Sequence, residues 1–382
     1  MTAFITEVRE RISDIDAADW NACFPGEAEN HAYYAACQEA GPRGLEMACV
    51  VVRSGTRVVA VAPLFRLSYR LDTSLQGHWR PLGEWAASHF PKLVSFPVVG
   101  VGSPYAERCH VGLRPGLSAA ERHNAVAALI EGIEAFAGAE GVGLVAIKDL
   151  AEHDEPALAR ILKERGYSRI GGLPTAVLEL PYANEGAYLA SLSSSTRKDV
   201  RRKMRSLPAV RIEERTSIAD IAGEIDDLYA MTRTRSGLDY GDFETLPDGY
   251  FSAVSKALGN RAVFMLYWVG DELAAFNLLL VEPDRVIDKF IGMRYPLAQE
   301  HNLYVVSWMT AVGYCLRHGI GRLQTGQTAY AWKLRLGSRL ETSAIYFHHR
   351  RPFTHKVLAA VGTLIAFDKM DPDLRSARRR AA

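Results

Sequence analysis

Cysteine is scarce and never paired: Cys23, Cys37, Cys49, Cys109 and Cys315 are scattered, odd in number, and form no CxxC. This excludes a disulfide-stapled scaffold and a cysteine-rich zinc site, and fits reduced thiols in a cytoplasmic protein. An excess of one charge is also missing. Lys plus Arg is 45 and Asp plus Glu is 44, a net +1. No global field draws such a chain onto nucleic acid or an anionic membrane, so any such contact must use a local patch. Long apolar runs are absent; the nearest, residues 357–367, is too short to span a bilayer. The N-terminal MTAFITEVRERISDIDAADW mixes charge with apolar residues and has no signal-peptide core. Metal-ligand spacing is lacking too. His348 and His349 are adjacent, so in a strand they point to opposite faces. What is present is an ordinary globular composition, 48% hydrophobic and 23% charged over 382 residues, enough for two domains of about 150 residues or somewhat more.

The element pattern runs in the same order twice. In the first half, 47–53 (MACVVVR) and 57–67 (RVVAVAPLFRL) read as strands joined by a Ser54-Gly55 turn. After a Pro- and Gly-containing excursion, 119–137 reads as a helix, followed by Gly141 and a strand at 142–148 (VGLVAIK). A short helix at 158–165 and a strand at 176–180 complete this half. In the second half, 262–269 (AVFMLYWV), 273–281 (LAAFNLLLV) and 286–293 (VIDKFIGM) form an antiparallel meander. A helix at 303–318 ends at Gly319, and strands at 321–325 and 342–348 follow. The repeat is one of pattern, not of residue identity. It predicts an α/β (α+β) chain of two similar domains, each a mixed, largely antiparallel sheet flanked by helices. The domains are expected at 1–182 and 183–350, with 351–382 as a C-terminal helix and basic tail.

Beside the boundary lies SLSSSTRKDVRRKMRSL (191–207). Ser193 to Thr196 can cap a helix, and Arg197, Lys198, Arg201, Arg202, Lys203 and Arg205 follow with one acid, Asp199. Pairs 197/201 and 198/202 are four apart, which spreads charge over adjacent helix faces. From the residues alone this is a solvated basic helix or a clamp for phosphate groups. Residues 357–367 lie between His355-Lys356 and a tail with Arg375 and Arg378 to Arg380. They read as a helix docked on its domain or as an interfacial membrane helix.

These stretches resemble a known group. The meander 262–293, the loop and helix 294–318 and TGQTAYAWKLRLGSR (325–339) are similar to the acyltransferase domain of the GNAT superfamily. More narrowly, they resemble the tandem-domain branch related to the Fem-type peptidoglycan aminoacyltransferases. That branch often has a basic S-x-x-x-R-K-x-x-R helix before its second domain, matched from Ser193, and a late lysine and glycine, matched by Lys333 and Gly337. NHAYYAACQEAG (30–41) with VVAVAPLFR (58–66) resembles the degenerate first domain of the branch. The resemblance covers residues 25–350. It implies transfer of an acyl or aminoacyl group to an amine acceptor, with acyl-CoA or aminoacyl-tRNA as co-substrate and no bound cofactor. The Q/R-x-x-G-x-G/A loop that binds the CoA pyrophosphate has no counterpart, because 294–304 (RYPLAQEHNLY) holds no glycine. A helix start can still hold an anion there, but a tight backbone cradle is disfavoured, which keeps the tRNA donor open.

Such a transfer needs a neutral amine, a donor for the developing oxyanion and a proton for the leaving group. In a fold of this kind the meander splays open, and polar residues near the opening become the candidates. Asp288 interrupts an apolar strand, sharing a face with Phe290 and opposing Lys289; it would deprotonate or position the amine, or form an ordinary ion pair. Asn277 would hold a substrate carbonyl or be a satisfied core amide. Lys333 would stabilise an oxyanion or a phosphate, or stand as a surface lysine. Tyr304 and Tyr330 are candidates for protonating the leaving group. Arg197, Arg201, Arg294, Gln327 and Trp332 complete the donor- or substrate-binding set. Cys315 sits inside the helix with no histidine spaced to activate it, so a thiol intermediate is not expected. Residues 74–108, with His78, Trp79, Trp85 and His89, are expected to shape the acceptor pocket. Acyl-CoA-dependent N-acyl transfer is the first reading. Aminoacyl-tRNA-dependent transfer, with the basic helix on the RNA backbone, and a non-catalytic module binding an envelope precursor are the alternatives. All three are compatible with a peripheral contact of the C-terminal helix on the inner face of the membrane.

Overall fold

The computed structural model describes residues 4–41, 44–74, 80–90, 94–151, 156–236, 246–364, 366–371 and 373–376. His78, Trp79 and Arg378 to Arg380 lie outside the described residues. The chain forms two compact units. One holds the described residues up to Pro174 and from Thr342 onward; the other holds most of those from Thr175 to Glu341.

The first sheet contains β1 (Phe4–Arg9), β2 (Glu46–Ser54), β3 (Arg57–Arg70), β4 (Ser95–Val101), β5 (Gly112–Leu113), β6 (Leu144–Ala151), β7 (Ser168–Gly171) and β15 (Ser343–His349). Its order is β1-β2-β3-β4-β6-β15-β7, with β5 on β3. The second contains β8 (Thr175–Glu179), β9 (Arg211–Arg215), β10 (Ala262–Val269), β11 (Glu272–Val281), β12 (Val286–Met293), β13 (Arg322–Gly326) and β14 (Arg339–Glu341), in the order β14-β8-β13-β12-β11-β10-β9.

The repeat of pattern is a repeat of topology. Tight turns at Gly55 and Gly270, both with positive φ, join β2 to β3 and β10 to β11. The next strand, β4 or β12, is antiparallel to its hairpin, and a helix then crosses to a parallel neighbour, β6 or β13. Parallel neighbours require such a crossover. The helices are Ala119–Ala139 and Leu303–Arg317. The first starts in a Ser118–Glu121 capping box and buries Ala125, Val126, Leu129, Ile130 and Ile133, a helical stripe. The two units even share a cross-strand pair. Phe65 faces Gly100, and Phe276 faces Gly292, each ring lying where a Cβ would stand.

The expected domain limits at 182/183 and 350/351 need correction. β8 belongs to the second sheet, between β13 and β14, and β15 returns to the first, between β6 and β7. Both are central strands with ladders on two sides, and a run of apolar residues does not say which sheet will supply them.

In the second unit, the helix Leu303–Arg317 packs with Met265, Tyr267, Leu279 and Met293 on one face of the sheet. Phe264, Phe276 and Phe290 line the other face, against Tyr229, Tyr250 and Phe251 of the helices Ala222–Ser236 and Tyr250–Leu258.

Candidate active site in the second unit

The parallel pair β12–β13 is held at one end only. Val286 pairs with Leu323 and Ile287 with Gln324, and there the ladder stops. Buried Arg285, bonded to Glu282, also donates to Gln324 Oε1 at 3.4 Å, pinning the closed end. Beyond Gln324, β13 continues its pairing with β8. The equivalent pair in the first unit is different: β4 and β6 stay in register from Val98–Leu144 to Val101–Ile147, the last residue of β4. An opening at the carboxyl ends of parallel strands is where open α/β sheets bind ligands.

Asp288 sits where the strands part. Opposite it, the β11–β12 register shifts: Leu278 pairs with Phe290 but Leu279 with Asp288, leaving Lys289 as the extra residue of a β-bulge. The bulge inverts the side-chain phase. Phe290 packs on Tyr229 and Phe251, whereas Asp288 faces the side of the helix Leu303–Arg317. The expectation that Asp288 shares a face with Phe290 is therefore wrong, because strict alternation fails across a bulge. Lys289 is buried, its Nζ 5.8 Å from the Phe290 ring centre. Asn277 Nδ2 donates to Asp288 Oδ1 at 2.8 Å. Asn277 is 1% exposed, so this bond fixes the carboxylate from the neighbouring strand.

Three groups lie within the field of Asp288. Burial, reinforced by that carboxylate, pushes the Tyr304 phenol well above its ordinary value. Burial does the same to Tyr267, with a smaller contribution from Asp288. The Cys315 thiol is pushed up to about 12 by burial and then by Asp288, so it stays protonated and non-nucleophilic at neutral pH. Tyr304 is only partly buried on the first turn of its helix. Its phenol is within the electrostatic reach of Asp288. Tyr267 escaped the sequence reading because its strand is uniformly apolar and offered no polar signal.

Lys333, in the helix Tyr330–Arg335, is 6% exposed and not a surface residue. Its Nζ donates to the carbonyls of Thr325 at 2.5 Å, Gln327 at 2.9 Å and Gly326 at 3.1 Å. The ammonium thus staples the loop that leaves β13. That loop is conformationally costly: Thr328 and Ala329, neither of them glycine, have positive φ, and Thr is β-branched. Tyr330, the next residue, is fully buried, which removes it from the solvent side of the opening. Gln327 is partly exposed on the same loop.

The expected phosphate ligands divide. Arg197 Nη1 donates to Ala190 O at 3.0 Å and Leu192 O at 3.2 Å, capping the end of the helix Glu185–Ser191. Arg294 Nε lies 2.9 Å from Glu272 Oε1. Each arginine thus has one nitrogen engaged by a neighbour within the unit. In the helix Ser194–Lys203, Asp199 pairs with Arg202 at 2.6 Å and Lys203 at 3.0 Å. Lys203 and Arg335 sit 4.2 and 4.8 Å from the Trp332 ring centre. Lys198, Arg201 and Arg205 are exposed and have no ion pair among the described residues. Their spacing follows one side of the helix and its continuation, giving a free basic face.

The sequence matches the family model described as FemAB-like, peptidoglycan biosynthesis/recognition, over residues 11–359. The chain belongs to the FemAB-like family. Its fold agrees with that membership. The crystal structure of FemX superposes with TM-score 0.60 at 13% identity, over 90% of this chain and 98% of that one. A tandem GNAT protein from the clavulanic acid biosynthesis pathway gives TM-score 0.51 at 13% identity, over 91% and 99%. Comparison with curated proteins gives no match. For this FemAB-like chain the family supports an acyl-transfer function. Among the described residues no helix is long and apolar enough to cross a membrane, and no group of His, Cys, Asp and Glu could hold a metal ion.

Proposed function

We propose that this protein transfers an aminoacyl group from aminoacyl-tRNA directly to a primary amine of a peptidoglycan precursor, in the opening between β12 and β13. The observation that carries the reading is the Asn277–Asp288 pair at the point where the parallel ladder stops. The amine attacks the ester carbonyl; the new C–N bond forms and the ester C–O bond breaks. Asp288, held by Asn277, takes the proton lost by the amine. Tyr304, a phenol protonated at neutral pH, returns a proton to the leaving oxygen. Lys333 acts as a positioning residue by holding the 325–327 carbonyls.

The free basic face of Lys198, Arg201 and Arg205 supports a polyanionic donor, whose binding would weaken steeply with salt. Acyl-CoA is the second reading, favoured by the GNAT topology alone. The glycine-free 294–304 segment weighs against it.

The test presents the purified protein with labelled aminoacyl-tRNA or acyl-CoA and a precursor amine, and follows amide formation by mass spectrometry. Product from tRNA that vanishes in Asp288→Asn supports the proposal. Product from acyl-CoA alone replaces the donor. Binding of precursor without product from either donor refutes the enzyme reading.

A further inference from the structure

We propose that the first unit docks on an anionic membrane surface through the helix Pro352–Leu364 and the exposed rings of Trp85 and Phe90. This inference stands apart from the transfer reaction. The helix has two faces. The inner one carries Leu358, 5% exposed, and Gly362, which abuts Ile170 and Phe347. His355 Nε2 lies 3.1 Å from Ser168 Oγ on the same side. The outer face carries Phe353, Val357, Val361 and Leu364, exposed by 81, 45, 37 and 74%. These recur at helical spacing and form one apolar stripe. Soluble surfaces rarely leave large apolar side chains contiguous without a partner.

The strand registers supply a second observation. Arg70, the last residue of β3, pairs with Ser95, the first of β4. Further along, β4 meets Leu144, the first residue of β6, and Leu144 pairs with His349, the last of β15. These residues mark one end of the first sheet. The chain leaves that end after Arg70 toward the helix Arg80–His89, and again after His349 toward Pro352–Leu364. Trp85 and Phe90 are 52 and 50% exposed, with ring centres 5.9 Å apart. Two exposed apolar features therefore depart from the same end of the same sheet.

Charge selects the occupant. From Thr342 to Phe367 there is no Asp or Glu, while Arg350, Arg351 and Lys356 are present; the helix of Trp85 carries one acid, Glu84, paired with Arg80 at 2.8 Å. Exposed Arg351 and Lys356 have no ion pair among the described residues. An apolar stripe flanked by exposed Arg351 and Lys356 fits an interface whose acyl boundary takes the apolar groups and whose headgroups are anionic. A second copy of this face would set cation against cation.

The full chain is sedimented with phosphatidylcholine vesicles, with and without phosphatidylglycerol. The expected result is binding to the anionic vesicles, weakened by salt. Arg351→Gln and Lys356→Gln should each weaken it about fivefold, and Phe353→Ser with Leu364→Ser by roughly tenfold or more. These positions are exposed, so an unchanged thermal midpoint verifies the fold of each variant. Trp85→Phe should remove quenching of fluorescence by brominated lipid. Failure to bind either vesicle, or binding indifferent to the Phe353→Ser/Leu364→Ser change, overturns the proposal. So does a dimer that the same change dissolves, which would make a second copy the occupant.

Discussion

Replacing Lys333 with Met separates a positioning lysine from a catalytic one. The side chain is 6% exposed and holds three main-chain carbonyls. Bonds to a charged group contribute about 1.5–3 kcal/mol each. Against that sum stands the desolvation of the buried ammonium, several kcal/mol, which the substitution relieves. The carbonyl of partly exposed Gln327 can recover a water, whereas those of Thr325 and Gly326 lie on buried residues. The loop would also lose the group that holds it next to Thr328 and Ala329 in left-handed conformations. The net expectation is a loss of about 2–4 kcal/mol. For a unit of this size that lowers the thermal midpoint by about 4–16 °C. The assay is urea and thermal unfolding, followed with separate probes for the two units because a two-unit chain need not unfold in one step. The second unit should unfold earlier and the first should not move. If Lys333→Met leaves both transitions unchanged while abolishing transfer, the lysine contacts the reacting atoms and the positioning argument is refuted.

Other expectations follow from the same geometry. Asp288→Asn should lower the transfer rate by about 10²–10⁴-fold, with little effect on unfolding; Asn277→Leu should lower it less and through the carboxylate it positions, visible as a shifted pH profile. Tyr304→Phe should slow turnover with poor leaving groups more than with good ones, and equal slowing would remove its acid role. Burial raises the phenols of Tyr188, Tyr267 and Tyr304. Above about pH 10 the unfolded chain therefore loses these protons first, so stability should fall as pH rises through that range, measured as the urea midpoint between neutral and alkaline buffer. Gly292→Ala would set a Cβ 2.3 Å from the Phe276 ring and 2.9 Å from the Leu228 backbone; it should destabilise the second unit by about 1–3 kcal/mol, and an unchanged midpoint would contradict the packing.

Much of the fold was legible because its signals are local. The meander 262–293 shows as three apolar runs cut by Gly270 and Pro283, and the observed strands match it within a residue. The helix at 303–317 is marked by its length and Gly319. Asp288 and Asn277 stood out as polar residues in apolar strands, and they meet in one hydrogen bond. Arg197, Arg294 and Lys333 stood out as well, but sequence could not reveal that Ala190, Glu272 and the 325–327 carbonyls occupy them.

Composition, periodicity and turn residues alone determined two α/β units, the strand–helix–strand order within each, and the short list of polar residues near the second parallel pair. These depend on neighbours a few residues apart. Tertiary structure decided the rest: that β8 and β15 each join the other half's sheet, that the bulge at Lys289 turns Asp288 away from Phe290, that β12 and β13 part while β4 and β6 stay zipped, and that the stripe from Phe353 to Leu364 faces outward. Each of these depends on pairing or packing between residues far apart in the chain, whose energies no local pattern encodes.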